Sequence, residues 1–201
     1  MTGKIMISEV TSYDPMAVQA AFRCVLEAFA FPGQLRRLAN PAPLNVLWAC
    51  SSAADAVHMT EAALAHASIL RQAADRSAGS IEESALVIAT SSELCDVIPN
   101  VNRGTPMFPD EGATLIVLVP QLGEHKVGGP TEPDTMFTVK VSTGGLAEAS
   151  TFTCSGLTPR ALTARAETCA EFPLGFDTVL LAENGTIVGL PRGATVSIVE
   201  M

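Results

Sequence analysis

The segment GATLIVLVP (112–120) decides the fold class, because it is short, rich in β-branched residues and apolar without interruption. Such a run suits a strand that is buried on both faces of a sheet. A second run of the same type, SALVIAT (84–90), precedes it along the chain. Two strands of this kind imply a central sheet covered by helices.

A first helix is predicted before these strands. Asp14 and Pro15 are the residue types of an N-cap and a first helical position, and Pro32-Gly33 ends the helix. The apolar residues between them recur at the spacing that stacks side chains on one helical face, which predicts a buried face: Val18, Phe22, Val25 and Phe29.

Two more helices are predicted further along the chain. Pro41 and Pro43 break the chain before a second helical region, and the alanine-rich residues 54–73 are predicted to form one helix. The segment LTPRALTARAETCAEFP (157–173) begins as a turn and continues as a helix. Ser155-Gly156, just before it, is interpreted as part of a strand-to-helix turn rather than as a nucleophile elbow.

The remaining strands are predicted from the alternation of apolar and polar residues and from turn residues. QLRRLA (34–39) is predicted as a short strand, and TMFTVKVS (135–142) alternates as an outer strand does. Two apolar runs near the C-terminus flank ENGT (183–186), where Asn-Gly supplies the positive φ angles of a tight hairpin. This order of elements favours a mixed α/β sandwich over an alternating βαβ chain.

Composition limits the class of protein. A chain of 201 residues, 48% of them hydrophobic, is predicted to form a single domain over residues 1–201. No apolar run approaches the roughly 20 residues of a membrane-spanning helix, and the opening MTGKIMISEV lacks the features of a secretory signal. We therefore expect a cytoplasmic protein without a membrane partner.

Charge and cysteine usage exclude further classes. The net charge of −9 and the scarcity of lysine remove the basic surface that nucleic-acid binding requires. The five cysteines are widely spaced and odd in number, which argues against a disulfide framework. Reduced, mostly buried thiols are expected at these positions: Cys24, Cys50, Cys95, Cys154 and Cys169.

Motifs for nucleotide, metal and acyl-transfer sites are absent from the sequence. His58 and His66 lie two helical turns apart rather than at the i, i+4 spacing of helical zinc ligands, so structural roles are expected and no metal. The loop GEHKVGGPTEPD (123–134) combines Lys126 with glycines and is able to bend around an anion, although its composition equally describes a solvated loop.

Three arginines sit beside breaks in regular structure: Arg23, Arg160 and Arg192. A guanidinium can grip a phosphate, so Arg192, Arg160 and Lys126 are the candidate ligand-binding residues. The alternative is that each arginine pairs with an acidic residue or a carbonyl. For Arg192 the favoured interpretation is an ion pair with Asp177 across the C-terminal hairpin. Binding of an anionic ligand by Arg192 is the less favoured alternative.

Three blocks of sequence carry a resemblance to a known family. FPLGFD (172–177), followed by an apolar strand and GLPR (189–192), resembles the C-terminal signature of PhnH, a subunit of the bacterial carbon-phosphorus lyase system. AFRCVLEAFAFPG (21–33) and FPDEGATLIVLV (108–119) agree with the same family, in the same order along the chain. The matching positions are Phe22, Arg23, Pro32, Gly33, Pro109, Ala113, Thr114, Pro173, Gly175, Asp177 and Pro191.

The chain departs from the family pattern at two places. CSGLTPR (154–160) stands where the family tends to read Ser-Gly-Pro-Gly-Ile, and Gly193-Ala194-Thr195 replaces paired threonines after Leu-Pro-Arg. Ligand contacts carried over from the family are not assigned to these turns.

The resemblance implies a single-domain mixed β-sheet flanked by helices, similar to the pyridoxal-phosphate-dependent transferase fold but without the cofactor. The sequence agrees independently, because a pyridoxal enzyme needs a lysine for its Schiff base. The three lysines lie at the N-terminus, in a glycine-rich loop and in the predicted outer strand: Lys4, Lys126 and Lys140.

The resemblance also implies an accessory role in phosphonate catabolism, within an assembly of PhnG, PhnI and PhnJ homologues, and a homodimer. That assembly is implied to displace adenine from MgATP with an alkylphosphonate, giving for methylphosphonate ribose 1-methylphosphonate 5-triphosphate. No catalytic residue is assigned to this chain. Two alternatives stay open: an independent protein or enzyme with its own nucleotide, phosphate or phosphonate site, and a free-standing pyridoxal enzyme.

Overall fold

The computed structural model describes residues 14–38, 43–52, 54–76, 79–125, 136–144 and 148–199. The α-helices are α1 (Pro15–Ala30), α2 (Pro43–Cys50), α3 (Glu61–His66), α4 (Leu94–Val97) and α5 (Pro159–Thr168). Short 3₁₀ helices span Ser68–Arg76, Ser91–Glu93, Ile98–Asn100 and Pro109–Glu111. The strands are β1 (Arg36–Arg37), β2 (Val57–Met59), β3 (Leu86–Thr90), β4 (Thr114–Val119), β5 (Leu122–Glu124), β6 (Met136–Ser142), β7 (Ser150–Ser155), β8 (Asp177–Ala182), β9 (Thr186–Leu190) and β10 (Thr195–Val199).

The larger sheet has six strands in the order β1-β9-β8-β4-β3-β2. Strands β2, β3, β4 and β8 run parallel, and β9 is antiparallel to both β8 and β1. All five residues of β3 are buried, as are five of the six in β4. The prediction of central strands buried on both faces is therefore confirmed.

The two faces of this sheet pack against different layers. Leu86 and Ile88 of β3 belong to a core with α1, α2 and α3, whereas the alternate residues Val87 and Ala89 belong to a core with the second sheet, α4 and α5. The second sheet is antiparallel, in the order β10-β6-β7-β5. Mixed α/β architecture is thus confirmed, but a sheet as well as helices covers one face.

Helix α1 begins as predicted, since the Asp14 carboxylate accepts a hydrogen bond from the Met16 N–H at 3.0 Å. The predicted buried face is wrong in part. The buried residues are Ala21, Val25 and Ala28, whereas Phe22 is 47% exposed. Small residues form the contact because α1 lies almost directly on β9.

Gly189 of β9 shows how close that contact is. A Cβ atom on Gly189 would lie 2.6 Å from the carbonyl carbon and oxygen of Ala28. Only a residue without a side chain fits beneath the helix, so this glycine sets the separation of α1 from the sheet.

The prediction of one helix over residues 54–73 is wrong. This region contains β2, then α3 with Thr60 as its N-cap, then the start of the 3₁₀ helix Ser68–Arg76. Val57 and Met59 are buried because β2 adds a parallel edge strand to β3, and this tertiary pairing overrides the helical propensity of the neighbouring alanines. The helical region predicted after Pro41 and Pro43 does contain a helix, α2, which begins at Pro43 itself because proline is favoured at the first helical position.

The strand predictions are confirmed with two corrections. Residues Met136–Ser142 of the predicted outer strand form β6, but β6 lies between β10 and β7 and is not an outer strand. It alternates because one face of its sheet meets solvent. Residues 183–185 do join the antiparallel β8 and β9. Only Gly185 has a positive φ, while the Asn184 side chain accepts a hydrogen bond from the Thr186 N–H at 2.9 Å.

The prediction of free, mostly buried thiols is confirmed in part. All five cysteines are free, but only Cys154 is buried and the other four are half-buried. The ring of His58 bonds the Gly79 carbonyl at 3.0 Å, and His66 Nε2 lies 3.5 Å from a Glu183 oxygen. Across the described ranges, no group of three or more His, Cys, Asp or Glu side chains is placed to hold a metal ion.

Candidate functional site: the arginine corner

Asp177 and Arg192 meet at the open end of the β8–β9 hairpin, as the sequence predicted. Asp177 begins β8, and the antiparallel pairing of Thr178 with Leu190 brings it level with the residues after β9. Arg192 Nη2 lies 2.8 Å from one carboxylate oxygen of Asp177, and the Arg192 backbone N–H donates to the other at 2.8 Å. We call Arg165, Asp177 and Arg192 the arginine corner.

The Arg192 guanidinium also reaches the loop before β4. Its Nη1 donates to the Pro109 carbonyl and its Nη2 to the Gly112 carbonyl, while Nε donates to Asp177 at 3.3 Å. Each guanidinium nitrogen therefore has a protein acceptor, and the side chain is only 16% exposed. This arrangement ties the hairpin to the 109–112 loop and uses four of the five N–H donors of the guanidinium, which a ligand would otherwise need.

Glycines leave the space in which these loops meet. A Cβ atom on Gly112 would lie 2.4 Å from the Gly175 carbonyl oxygen and 2.7 Å from Arg192 Nη1. Gly175 has φ of +137° and donates its N–H to the Arg103 carbonyl at 3.0 Å. The FPLGFD and GLPR blocks are thus neighbours in space because Gly175 and Arg192 contact the same loop.

Arg165 is the part of the corner that sequence analysis missed. It is 4% exposed, although its guanidinium has no carboxylate within 4.0 Å in the described part of the chain. It donates instead to the Thr178 hydroxyl and to three carbonyls, those of Leu190, Pro191 and Ala194, at distances from 2.7 to 3.4 Å. Arg165 of α5 therefore holds the last residue of β9 and the segment that follows it against the helix.

Burial lowers the pKa of Arg165, and the nearby Cys169 and Asp177 oppose that shift. A buried guanidinium is tolerated here because backbone carbonyls satisfy its donors. A signal for it did exist in the sequence. Arg165 follows the buried Ala161 and Leu162 of α5 by four and three positions, so it lies on the same helical face.

The other candidate ligand residues are not part of this arrangement. Arg160 is exposed in the first turn of α5, and Arg23 is exposed on α1. Lys126 lies outside the described residues, as does most of its glycine-rich loop. Ligand binding by Arg192, Arg160 and Lys126 remains a prediction, since the structure carries no ligand.

A groove and three exposed apolar side chains border the corner. The groove has a volume of about 410 Å³ and is lined in part by Arg165, Cys169 and Arg192. Phe172 is 72% exposed beside Gly193, and on the loop that Arg192 contacts Met107 is 82% exposed and Phe108 52%. We call Met107, Phe108 and Phe172 the corner patch.

The fold and the corner place the protein in the class of layered α/β proteins. Arg192 is hydrogen-bonded within the protein, while the apolar side chains of the corner patch are exposed on the adjoining loops. No helix in the described ranges combines the length and apolar character that a membrane crossing requires. The hydrogen bonds of the corner hold two loops in place, and these loops carry the exposed side chains of the corner patch.

Comparison with known proteins identifies the family. Residues 12–197 match the family model described as bacterial phosphonate metabolism protein (PhnH). The chain therefore belongs to the PhnH family. It is also 30% identical over 176 residues to a protein of Stutzerimonas stutzeri named as a C-P lyase subunit, HtxG; the match covers 87% of this chain and 83% of that protein.

Proposed function

We propose that the protein is an accessory subunit of a carbon-phosphorus lyase assembly. Its family and its HtxG relative support a role in phosphonate metabolism. The arrangement of the corner supports a subunit role: Arg192 is committed to protein acceptors, while the loops it fixes expose the corner patch.

The proposed task is to support the step in which an alkylphosphonate displaces adenine from MgATP, so that free adenine leaves and methylphosphonate gives ribose 1-methylphosphonate 5-triphosphate. In this role the chain binds homologues of PhnG, PhnI and PhnJ and works without pyridoxal phosphate or a cofactor of its own. We also propose a cytoplasmic homodimer with a fold similar to that of pyridoxal-phosphate-dependent transferases.

Among the described residues, Lys140 supports the absence of pyridoxal phosphate from this proposal. Lys140 is exposed on the solvent-facing side of β6, where it is poorly placed to form a buried Schiff base. Titration of the purified chain with pyridoxal phosphate should leave the imine absorbance band undetected.

The corner patch is the surface that we assign to another subunit of the assembly. Large apolar side chains grouped on ordered loops are typical of protein interfaces, and aromatic residues contribute strongly to binding. The hydrogen bonds of Arg192 and Gly175 hold the two loops that carry these side chains. We infer that the signature blocks fix the shape of this binding surface.

Co-purification tests the proposal. A tagged copy of this chain, expressed with PhnG, PhnI and PhnJ homologues from the same source, should retain them through size-exclusion chromatography. The chain alone should not release adenine from MgATP and methylphosphonate, whereas the assembly should do so only when this chain is present. Elution of this chain by itself, or turnover by the chain alone, would contradict the proposal.

The alternative of an independent anion site has less support. Its central residue, Arg192, has every guanidinium nitrogen bonded to Asp177, Pro109 or Gly112. Isothermal calorimetry with ATP and methylphosphonate distinguishes the two functions. Binding by the chain alone that disappears in Arg192→Ala, with the fold of the variant intact, would favour the anion site.

A further inference from the structure

The outward side of α1 and the turn that follows it carry large apolar side chains. Met16 is 72% exposed, Phe22 47%, Leu26 51% and Phe31 46%. Phe22 and Leu26 lie one turn apart on the same side of the helix, because residues four positions apart are neighbours on a helix surface. Grouped exposure of this kind is typical of an interaction surface.

A row of charge runs beside this apolar row. Arg23 follows Phe22 and Glu27 follows Leu26, so the two charged residues lie on the adjoining side of α1. They are four positions apart and are therefore also separated by one helical turn. Both are exposed, and the Glu27 side chain is 62% exposed although it lies 3.5 Å from Arg36. We call Phe22, Arg23, Leu26 and Glu27 the α1 face.

The α1 face is complementary to a second copy of itself in one orientation. A two-fold axis perpendicular to α1 reverses the residue order along the helix but keeps each row on its own side. Phe22 then lies against the Leu26 of the second copy. Arg23 comes within two residues, or ~3 Å along the axis, of the Glu27 of the second copy.

We propose that the α1 faces of two copies of this chain pack against each other antiparallel, with Arg23 of each copy paired to Glu27 of the other. The two-fold axis forms each apolar contact and each ion pair twice. A two-fold axis parallel to α1 would instead place the two charge rows on opposite sides of the contact, so these ion pairs would not form. The proposal rests on the proposed homodimer and specifies the surface that forms it.

Charge favours this occupant over an arbitrary apolar partner. Two copies that each carry a net charge of −9 repel one another at a distance, so a stable contact between them needs local opposite charges. The Arg23 and Glu27 row supplies one cation and one anion from each copy, and the opposite charges lie within ~3 Å of each other along the helix axis. The α1 face of one copy is therefore complementary to the α1 face of a second copy, both in its apolar row and in its charges.

Single charge reversals test the pairing in the full-length chain by sedimentation velocity over a range of concentrations. Arg23→Glu presents two glutamates to two glutamates, and Glu27→Arg presents two arginines to two arginines. Each variant alone should raise the Kd of the dimer by roughly ten-fold or more. An equimolar mixture of the two should associate again, because every cross-pair then joins opposite charges.

Lys140→Glu is the matched control, since it makes the same change in charge at an exposed position on β6. It should leave the Kd of the dimer within about two-fold of the unsubstituted chain. Leu26→Asp provides a second variant that acts on the apolar row and should also abolish association. Thermal unfolding of each variant checks that the subunit is folded.

Three results would overturn the proposal. They are a chain that is monomeric at all concentrations, a dimer that Arg23→Glu and Leu26→Asp both leave intact, and a mixture of the charge variants that does not recover association. If α1 variants lose other subunits while the chain alone is monomeric, the face belongs to a different subunit. None of these results removes the proposed place in a lyase assembly, which co-purification tests separately.

Discussion

Gly112 fills a position in the arginine corner where no other residue fits. Its replacement by alanine would force a methyl group to within 2.4 Å of the Gly175 carbonyl and 2.7 Å of Arg192 Nη1. We expect Gly112→Ala to lower the free energy of unfolding by about 1–3 kcal/mol, the usual cost of overpacking. Urea denaturation measures the change.

Gly144→Ala is the control for this substitution, because no atom in the described part of the chain lies within 4 Å of the added Cβ atom. It should change the free energy of unfolding by no more than about 0.5 kcal/mol. If both variants unfold at the same urea concentration, the packing of Gly112 against Arg192 is not what holds the corner.

Arg165 gives the second prediction at this scale. Arg165→Met would remove the guanidinium that donates to the carbonyls of Leu190, Pro191 and Ala194, of which Pro191 keeps a second bond from the Ala194 N–H. We expect a loss of ~1–3 kcal/mol in the free energy of unfolding, the usual cost of leaving buried acceptors without a donor. Arg160→Met, on the exposed side of the same helix, should cost less than about 0.5 kcal/mol. Equal losses in the two variants would show that burial of Arg165 contributes nothing.

Cys154 predicts a dependence of stability on pH. Burial raises the pKa of its thiol to about 12, whereas a thiol in the unfolded chain titrates near ~8.5. Above that lower value the unfolded chain loses a proton that the folded chain keeps. Stability is therefore retained at neutral pH and falls as the pH rises, by up to about 1.4 kcal/mol per pH unit from this group.

Comparison with Cys154→Val isolates this contribution, because other titrating groups are common to both chains. Urea unfolding at pH 7.5 and at pH 10 should show a shallower loss of stability in the variant. Parallel losses in the two chains would contradict the assignment.

Some contacts of the arginine corner were predictable from the sequence and others were not. Asp177 and Arg192 were paired correctly because they flank a hairpin whose turn residues fix the register. The Pro109 and Gly112 carbonyls were not predicted as partners, since they lie about 80 positions away and backbone acceptors carry no residue-type signal. Arg165 was missed because a charged residue is read as a surface residue unless its helical face is followed.

At the scale of elements, α1 and β9 depend on each other through Gly189. A methyl group there would lie 2.6 Å from the Ala28 carbonyl, so Gly189→Ala must move the helix away from the sheet. We expect a loss of about 2–3 kcal/mol in the free energy of unfolding and faster proteolysis in α1. Limited proteolysis with mass spectrometry locates the cuts, and the Gly144→Ala variant serves as the reference. Cuts elsewhere, with α1 intact, would contradict this account.

Elements were predictable where one physical signal dominated. Strands β3 and β4 are continuously apolar because both of their faces are buried, and that signal has few alternatives. Residues 54–73 carried two competing signals: alanine favours a helix, whereas Val57-His58-Met59 is able to add an edge strand to β3. Pairing with a distant strand decided the outcome, and a local pattern does not contain that information.

At the scale of the whole molecule, the described residues include apolar side chains exposed on two different sets of elements, the α1 face and the corner patch. The α1 face belongs to the helix layer on one side of the large sheet. The corner patch lies on loops that flank the β8–β9 hairpin at the arginine corner, with Phe172 next to Gly193. Two surfaces on different elements allow one copy to bind a second copy and another subunit at the same time.

The two surfaces should therefore be separable by mutation. We expect Met107→Ser combined with Phe172→Ser to lose the other lyase subunits in co-purification but to keep the homodimer, because these side chains are exposed and their loss leaves the core intact. Leu26→Asp should lose the homodimer and keep the other subunits. Sedimentation velocity measures the first association, and size-exclusion chromatography of the co-expressed assembly measures the second.

Unfolding curves of both variants should overlay that of the unsubstituted chain to within about 0.5 kcal/mol, since surface substitutions rarely cost more. Loss of both associations in either variant would mean that the two surfaces act as one interface or that dimerisation must precede assembly. Retention of the other subunits by the Met107→Ser, Phe172→Ser variant would mean that the signature loops serve another purpose. In that case the groove beside Arg165 and Cys169 becomes the next surface to test at the arginine corner.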